Sequence, residues 1–569
     1  MPASGMGDGV AQVIEGQERA TAGTGTRTET MTGGEALVRS LIAEGIDTVF
    51  GLPGVQLDGA FDALYHVQDQ VRIFHTRHEQ ATAYMADGYA RSTGKVGTCL
   101  VVPGPGLLNA SAALSTAYAC NSPVLCVSGQ IQSDLIGVGR GLLHEIPNQL
   151  EMVRSVTKHA ARATVPADIP AVVRDAFRHL RTGRVRPVEI EIPQDTLHAR
   201  GEVELLAPIS GEPRERPAGD PDLIRQAAKL LGAARKPLIF SGGGIIGSEA
   251  GEELLALAEA LGAPVVMSSN GKGVISDRHE LAMGTVAAIQ LIPDADVILA
   301  VGTRFVEPAT SAWGVKPGQT VIQMDIDPEE IGRNTAITVG IQADAKAGLA
   351  ALLDEVSRVG GIRPFRAAEL AELKRSVRDR LNAVQPQAGL AHAIRAELPD
   401  EGILVSEMTQ IGYWSNVGYP VYRPRTFITP GYQGTLGYGF PTALGVKAGN
   451  PDTPVVSVNG DGGFGFALNE LATMAQHEIA LVVVVFDDGA YGNVRRIQRD
   501  QFAGRTIASD LRNPDFAKLA EVFGITGRTA ADAGSLQTHL REAIAANEPT
   551  LIHVPVGVMP NPWTVLGLR

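Results

Sequence analysis

Two runs of β-branched residues, each ending at an acid and a glycine, constrain the fold of this chain most strongly. The first covers residues 455–464 and the second residues 481–493. Such runs are typical of buried parallel strands whose carboxyl ends open into ligand-binding loops. Asp461 and Asp488 are 27 residues apart, enough for a crossover helix at residues 468–477 and a second strand. We therefore predict that both carboxylates reach one edge of a parallel sheet.

This pair of acids has the chemistry of a metal and phosphate site. A small hard cation such as Mg²⁺ binds carboxylate, carbonyl and phosphate oxygens in an octahedron. The glycines around Asp461 let backbone N–H groups approach phosphates. The alternative is that two acids end neighbouring strands without binding any ligand.

Length and charge exclude several classes of protein. A chain of 569 residues suggests three or four domains at about 150 residues each. The net charge of −13 argues against nucleic acid or an anionic membrane as the main partner. The longest apolar run, residues 479–486, is too short to cross a bilayer. Three cysteines without metal-ligand spacing predict a reducing cytoplasm.

Strand and helix patterns alternate through most of the sequence, which predicts an α/β protein with three doubly wound parallel-sheet domains. Residues 1–29 are read as a disordered tail, because they are polar and lack an apolar signal-peptide core. We place the domains at residues 30–200, 220–360 and 388–569. A linker at 201–219 and a linker helix at 361–387 separate them.

The segment Gly460-Asp461-Gly462, followed by an acid 27 residues after Asp461, resembles the diphosphate-binding motif of thiamine-diphosphate (ThDP) enzymes. The resemblance implies ThDP and Mg²⁺ as cofactors, bound by the third domain. It implies that Asp461, Asp488 and the carbonyl of Ala490 are the metal ligands. The family usually carries Asn where Asp488 stands. We hypothesise that the added charge makes the protein depend more strongly on the divalent ion or requires a more basic surrounding.

Glu79 lies between a predicted strand and a predicted helix, in Arg77-His78-Glu79-Gln80-Ala81. Taken alone, an exposed Glu in the first helical turn is explained by the helix dipole. The stretch, however, resembles the pyrimidine-binding segment of the acetolactate synthase-like branch of ThDP enzymes. This resemblance implies that Glu79 binds the pyrimidine N1′ in an apolar pocket, reaching the cofactor from the neighbouring subunit. A homodimer or a dimer of dimers, that is a homotetramer, follows.

The resemblance also assigns the other cofactor contacts. Leu436 is expected to wedge beneath the cofactor and hold it in a V shape, although an ordinary core leucine is the alternative. The full predicted set of cofactor-binding residues is Pro53, Gly54, Glu79, Asn109, Met408, Gln410, Gly434, Leu436, Gly460, Asp461, Gly462, Gly463, Asp488, Ala490, Tyr491 and Gly492. Asn109 ends a segment, residues 103–109, that resembles a Gly/Pro loop of the family.

Three positions bear on the substrate. Gln130 resembles a family residue that lines the substrate side, and we predict that it is catalytic together with Glu79. His144 stands where acetolactate synthases carry Phe-Gln-Glu. We predict that it is catalytic, as an acid or base acting on a bound intermediate, and a structural histidine is the alternative. Ile497 replaces a Trp that shapes acceptor selection in that group.

The central domain leaves its ligand open. Three glycines, Gly242 to Gly244, follow a strand and either receive a phosphate or form a plain tight turn. Residues 302–305 and 325–332 look like the segments that embrace FAD in acetolactate synthases. The predicted loop between Met283 and Asp294 is shorter than that group's flavin-binding loop. FAD, an ADP or CoA adenine, and no ligand are the alternatives.

The resemblance therefore implies an enzyme that makes or breaks C–C bonds next to a carbonyl. The leading prediction is an acetolactate synthase-like carboligase or decarboxylase acting on 2-ketoacids. A 2-hydroxyacyl-CoA or 2-hydroxyketone lyase, or a diketone hydrolase, is the alternative within the same chemistry. A non-catalytic paralogue is the alternative of another class.

Overall fold

The computed structural model describes residues 28–306, 314–360 and 366–566. Within these ranges the chain forms three six-stranded parallel sheets and one short antiparallel ribbon. The predicted tail, residues 1–29, lies outside the described residues except for Thr28 and Glu29, which begin the first strand.

The first sheet has the strand order β3-β2-β4-β5-β7-β6, and the ribbon pairs β1 with β8. The ribbon joins the beginning of this domain to its end. The elements are β1 (Thr28–Thr32), α1 (Gly33–Ala43), β2 (Thr48–Gly51), α2 (Asp58–Tyr65), β3 (Arg72–His75), α3 (Glu79–Thr93), β4 (Gly97–Val101), α4 (Pro105–Cys120), β5 (Val124–Gln130), α5 (Gln149–Arg154), β6 (His159–Arg162), α6 (Ile169–Arg181), β7 (Val188–Pro193), α7 (Gln194–His198) and β8 (Arg200–Glu204).

The second sheet has the order β11-β10-β9-β12-β13-β14. Its elements are α8 (Pro221–Ala233), β9 (Pro237–Ser241), α9 (Gly243–Ser248), α10 (Gly251–Leu261), β10 (Val265–Met267), β11 (Ala282–Met283), α11 (Thr285–Asp294), β12 (Val297–Val301), β13 (Thr320–Asp325), β14 (Val339–Gln342) and α12 (Ala345–Arg358). Helix α13 (Ala367–Asn382) then leads to the third sheet.

The third sheet has the order β16-β15-β17-β18-β20-β19. Its elements are α14 (Gln387–Glu397), β15 (Ile403–Ser406), α15 (Gln410–Gly418), β16 (Phe427–Ile428), α16 (Gly439–Gly449), β17 (Val455–Gly460), α17 (Asp461–Phe464), α18 (Leu471–Gln476), β18 (Val482–Asp487), α19 (Gly492–Gln501), α20 (Phe516–Val522), β19 (Thr526–Thr529), α21 (Ala533–Ala546), β20 (Thr550–Pro555) and α22 (Pro562–Val565).

The predicted α/β class and the three parallel-sheet domains are confirmed. The β-branched runs form central strands because helices cover both faces of the sheet: Val483, Val484 and Val485 are all fully buried. The predicted loop between Met283 and Asp294 is wrong, since this segment is helix α11. Its apolar residues, among them Val286 and Leu291, are buried in the core of the central domain.

Helices α3 and α16 bring the first and third domains into backbone contact. A Cβ built on Gly445 would lie 1.9 Å from the carbonyl oxygen of Met85. A Cβ built on Gly88 would lie 2.1 Å from that of Thr442. One apolar cluster runs through this contact and includes Tyr84 and Met85. The two helices therefore pack at a distance that only glycine permits.

Membrane insertion through a helix finds no support in the described part of the chain. No helix there is both long and apolar enough to cross a bilayer.

We expect Gly445→Ala to lower the thermal midpoint measured by circular dichroism. A methyl group 1.9 Å from the Met85 oxygen forces the helices apart, and overpacking of this kind costs about 1–3 kcal/mol or more. Gly247→Ala in helix α9 is the matched control, since nothing lies within 4 Å of its Cβ position. Alanine there improves helix propensity by up to about 1 kcal/mol. Equal midpoints for the two variants would contradict the close-contact argument.

Candidate active site

The two predicted metal-binding acids lie at the carboxyl ends of neighbouring parallel strands. Strands β17 and β18 pair with Gly460 opposite Phe486, so the segments that follow them leave the sheet side by side. Asp461 starts helix α17 and is 4% exposed. Its Oδ2 accepts a hydrogen bond of 3.2 Å from the backbone N–H of Ala490. Asp488 lies in the loop between β18 and α19, two residues before Ala490.

Asp487 and Asn513 are site residues that the sequence reasoning missed. The Asn513 amide donates to Asp461 Oδ2 at 2.7 Å and to Asp487 Oδ1 at 2.8 Å. The ring nitrogen Nε2 of His553 lies 3.0 Å from Asp487 Oδ2. Asn513 follows no strand and stands in no motif, so its sequence carries no signal for this role. Asp487 therefore holds Asn513 and His553 in place next to the site. Its neighbour Asp488 makes no hydrogen bond to Asn513 or His553 among the described residues.

The proximity of the acids changes their ionisation. Burial, above all, raises the pKa of Asp461 to about 6; the hydrogen bond from Asn513 lowers it, and the charges of Asp488 and Asp487 raise it. Burial also raises the pKa of Asp488, partly offset by the charge of Arg495. Burial acts on Asp487 as well, but the hydrogen bonds from Asn513 and Gly489 outweigh it and lower the pKa of this carboxyl. A bound divalent cation would relieve the repulsion within this cluster.

At three glycines of the predicted motif, an added Cβ would clash with a neighbouring side chain. A Cβ on Gly462 would lie 2.8 Å from the ring of Tyr491. On Gly463 it would lie 2.5 Å from the carboxyl group of Glu407, and on Gly492 2.2 Å from Asp488 Oδ2. The backbone of the predicted phosphate-binding loop therefore lies against neighbouring side chains, which occupy the space where each glycine lacks a side chain.

Glu407 is a third residue that the sequence reasoning missed. It follows strand β15, is 2% exposed, and accepts a hydrogen bond of 2.6 Å from the N–H of Gly437. Burial raises the pKa of Glu407 to about 7, although backbone N–H groups of residues 437–439 and 460 lower it. This carboxyl therefore ties the loop before α16 to the end of β17. An acid at the end of an apolar strand was the same signal that identified Asp461 and Asp488.

The predicted wedge, Leu436, lies half-buried in the turn that Glu407 holds. Gly434 in the same turn has a φ of 58°, and a Cβ there would lie 3.3 Å from Met408 Cε. The half-buried residues Met408 and Gln410 lie directly after β15, at the same edge of the sheet. The hydroxyl groups of Thr435 and Thr116 are 3.0 Å apart and join this turn to helix α4.

Glu79 begins helix α3 in the first domain and is half-buried. Its Oε2 accepts a hydrogen bond of 3.0 Å from the Asn109 amide. Asn109 lies inside helix α4 and not at the end of a loop, because the helix already begins at Pro105. Pro53 is exposed, and the adjacent Gly54 packs so closely that a Cβ would lie 2.4 Å from Val102 Cγ1.

Within one chain, the described residues show no hydrogen bond from Glu79 to Asp461, Asp488 or Leu436. The two predicted halves of the site therefore do not meet through direct contacts in a single subunit.

Gln130 is the last residue of β5, and His144 lies on the segment that follows this strand. His144 is half-buried with a φ of 66°, and its Nδ1 lies 2.8 Å from Gln56 Oε1. The Gln56 amide nitrogen donates to the Leu143 carbonyl, so Gln56 Oε1 is the acceptor and His144 Nδ1 carries the proton. This tautomer leaves Nε2 with a free lone pair. Gln130 ends β5, is 4% exposed, and accepts the N–H of Ile131.

In the central domain the triple glycine connects strand β9 to helix α9, and Gly243 and Gly244 are the first residues of that helix. The N–H of Gly242 donates to the Val301 carbonyl, and that of Gly244 donates to the Gly302 carbonyl. A Cβ on Gly242 would lie 2.2 Å from the Gly302 oxygen. Two of the three amides are therefore used within the fold.

We expect Glu407→Gln to change how stability depends on pH. A carboxyl group whose pKa rises from 4.5 to about 7 on folding binds its proton more tightly in the folded state. Its contribution is present below pH 4.5 and is lost as the pH rises to about 7, by up to about 3 kcal/mol. Thermal midpoints at pH 5 and pH 7.5 should therefore differ less in Glu407→Gln than in the wild type. Glu548→Gln, at an exposed position, should keep the wild-type difference, and an unchanged difference in Glu407→Gln would contradict the assignment.

All three domains match those of thiamine pyrophosphate enzymes. The N-terminal TPP binding domain of these enzymes matches residues 31–152, the central domain matches residues 224–352, and the C-terminal TPP binding domain matches residues 407–554. Thiamine pyrophosphate is another name for ThDP. The strand-end acids and the glycine cradle lie within the C-terminal match, and Glu79 lies within the N-terminal match.

Curated relatives match over nearly the whole chain. A probable acetolactate synthase large subunit of Methanocaldococcus jannaschii is 36% identical over 92% of this chain and 92% of its own length. The acetolactate synthase large subunit of Haemophilus influenzae is 34% identical over 93% and 94%. A probable 2-ketoarginine decarboxylase of Pseudomonas aeruginosa is 35% identical over 92% and 94%. The chain therefore belongs to the thiamine pyrophosphate enzyme family, in its acetolactate synthase-like branch.

Proposed function

We propose that the protein is a ThDP- and Mg²⁺-dependent carboligase or decarboxylase that acts on 2-ketoacids. The observation that carries this proposal is the convergence of Asp461, Asp488 and the Ala490 backbone at one sheet edge, beside three glycines whose Cβ positions neighbouring side chains already fill. Relatives that bear the names of an acetolactate synthase and a 2-ketoarginine decarboxylase support the substrate class.

The residues fit the cofactor at the diphosphate end. Asp461, Asp488 and the carbonyl of Ala490 would hold Mg²⁺, and the backbone of Gly460 to Gly463 would face the diphosphate. When bound, ThDP supplies a carbanion and an electron sink for cleavage or formation of a bond at a carbonyl carbon. Leu436 would support the cofactor from below, on the turn that Glu407 fixes.

Glu79 would hold the pyrimidine end from a neighbouring subunit. The Asn109 amide orients its carboxyl group and leaves the other oxygen, Oε1, free to bind the pyrimidine N1′. In the enzymes that this chain resembles, the corresponding Glu reaches the cofactor from the neighbouring subunit, which supports a site shared between two subunits. We therefore propose a homodimer as the smallest active unit, or a dimer of dimers.

We expect two inactive variants to restore each other when they are combined. Glu79→Gln and Asp461→Asn should each abolish turnover, the first by removing the pyrimidine contact and the second by removing a metal ligand. Chains that carry the two changes, co-expressed with different tags and purified through both, form pairs with one intact site. Roughly a quarter to a half of wild-type activity should return.

The same double purification of two Glu79→Gln chains is the control and should stay inactive. A site built within one chain would leave the mixed pair inactive as well, which would overturn the shared-site proposal.

His144 gives the alternative within this chemistry a specific observation. Its Nδ1 proton is engaged by Gln56, so Nε2 is available as a base. A base at this position suits a lyase or hydrolase of 2-hydroxyacyl or diketone substrates.

Product analysis tests the function directly. The ThDP- and Mg²⁺-loaded protein is incubated with a panel of 2-ketoacids and 2-hydroxyacyl thioesters, and the products are identified by mass. Turnover of 2-ketoacids supports the leading proposal. Turnover of the thioesters alone supports the alternative, and turnover of neither supports a non-catalytic paralogue.

For the central domain we propose that the Gly242–Gly244 turn packs against Gly302 and does not bind a phosphate, since two of its amides are engaged. FAD bound by residues 302–305 and 325–332 stays a prediction, which flavin absorbance of the purified protein would test.

Free thiols at Cys99, Cys120 and Cys126 support a cytoplasmic location.

We expect Asp488→Asn to weaken Mg²⁺ binding by about tenfold, because the affinity of oxygen sites follows the number of charged ligands. Titration of the apoprotein with Mg²⁺ in the presence of ThDP, followed by activity or fluorescence, measures the change. Asp500→Asn, at an exposed acid on helix α19, is the control and should keep wild-type affinity. Unchanged affinity in Asp488→Asn would remove Asp488 from the ligand set.

A further inference from the structure

A cavity of about 200 Å³ lies at the carboxyl edge of the first sheet, next to the predicted substrate-side residue Gln130. Its lining includes Gln130, Asn148, Gln149, Arg162, Ile136 and Ile146. Gln130 ends β5 and Arg162 ends β6, with β7 between them in the sheet. The cavity thus extends the candidate active site along the edge, away from the pyrimidine end.

One hydrogen bond connects a lining residue of this cavity to the segment before helix α4. Gln149 Oε1 accepts a bond of 2.8 Å from the N–H of Gly104, which immediately precedes helix α4. That helix carries Asn109, whose amide binds Glu79. A Cβ on Gly104 would lie 2.2 Å from the carbonyl oxygen of His144. The cavity is therefore adjacent to the residues that the proposed function puts around the reacting carbonyl.

Three lining residues of the cavity, Gln130, Gln149 and Arg162, bind one buried carboxylate behind them. Glu191 is fully buried, and its Oε2 accepts hydrogen bonds from Gln149 at 2.9 Å and Gln130 at 3.4 Å. Nε of Arg162 binds the other oxygen, Oε1. The charge of Glu191 is thus compensated from three sides.

Hydrogen-bond donors remain on the cavity side. Among the described residues, no hydrogen bond engages Nη1 or Nη2 of Arg162, whose side chain is 25% exposed. The Asn148 side chain uses its oxygen to cap helix α5, which leaves its amide N–H groups for the cavity. Ile136 and Ile146 supply apolar wall. Unused donors beside an apolar wall suit a short hydrocarbon chain that ends in an anionic acceptor group.

We propose that this cavity is a specificity subsite for 2-ketoacids whose far end carries a carboxylate, bound by the Arg162 guanidinium and the Asn148 amide. The inference rests on the proposed function, because it assigns the substrate class of the same active site. Arg162 acts here by binding the far end of the substrate, and the reacting carbonyl lies near Gln130 and His144.

The test compares two substrates of equal length. The ThDP- and Mg²⁺-loaded protein is assayed with 2-oxopentanedioate and with 2-oxopentanoate, which differ only in a terminal carboxylate or methyl group. We expect kcat/KM to favour the dicarboxylate by about tenfold or more, the usual effect of a hydrogen bond between charged groups. A third substrate, 5-guanidino-2-oxopentanoate, carries a cationic end, and a preference for it would overturn the proposal.

The variant Arg162→Met/Glu191→Gln removes the guanidinium without leaving a buried carboxylate unpaired. The ratio of the two kcat/KM values should fall by about tenfold or more, and this ratio cancels any general effect on the site. Arg154→Met, at an exposed arginine of helix α5, is the matched control and should keep the ratio. A ratio that survives in the double variant would overturn the assignment of Arg162.

A binding measurement separates this inference from the proposed function. Glutarate and pentanoate have no keto group and cannot react. Calorimetric titration of the loaded protein should give at least about tenfold tighter binding of glutarate, lost in Arg162→Met/Glu191→Gln. If no 2-ketoacid is turned over, the proposed function is wrong. The titration with glutarate tests the subsite independently of turnover. Equal binding of the two acids would overturn the subsite itself.

Discussion

The backbone contact between helices α3 and α16 fixes the first and third domains of one chain relative to each other, and with them the two halves of a site that this chain contributes. Helix α3 begins at Glu79, and α16 follows directly on the turn that carries Leu436. Gly88 and Gly445 let the two helices approach until carbonyl oxygens occupy the space of a side chain. Because protein interiors are close-packed, a small separation here would move the first domain relative to the third domain of the same chain. The close approach of the first and third domains therefore depends on glycine at positions 88 and 445.

Glu407 plays a comparable part inside the third domain. A carboxyl group without access to water is unfavourable unless backbone N–H groups solvate it, and those groups here come from two separate loops. One loop carries Leu436 and the other begins the motif around Asp461. The same carboxyl group fills the space beside Gly463. The side chain of Glu407 in this way fixes both the turn that carries Leu436 and the segment that begins at Gly460, although Glu407 lies in neither segment.

Sequence patterns predicted the elements whose residues are uniformly apolar and missed those defined by distant partners. Strands β17 and β18 were evident because unbroken β-branched runs ended at acids. Strand β6 was not predicted, since His159–Arg162 is short and half polar and is a strand only because β7 pairs with it. Arg162 was missed for the same reason, and Asn513 could not be found without the fold. Glu191 lies in a strand that the sequence does predict, but its ion pair with Arg162 depends on β6. Glu407 is different: its strand-end signal was present and was not used.

The close approach of Asp488 to Gly492 limits how this site can diverge. The carboxyl oxygen already occupies the volume that any Cβ at position 492 would need, so nineteen of the twenty amino acids are closed to that position while the acid keeps its rotamer. A lineage that replaced the glycine would first have to shorten or turn the acid. The two positions are therefore expected to covary, and their joint identity would trace the ancestry of the site better than either residue alone.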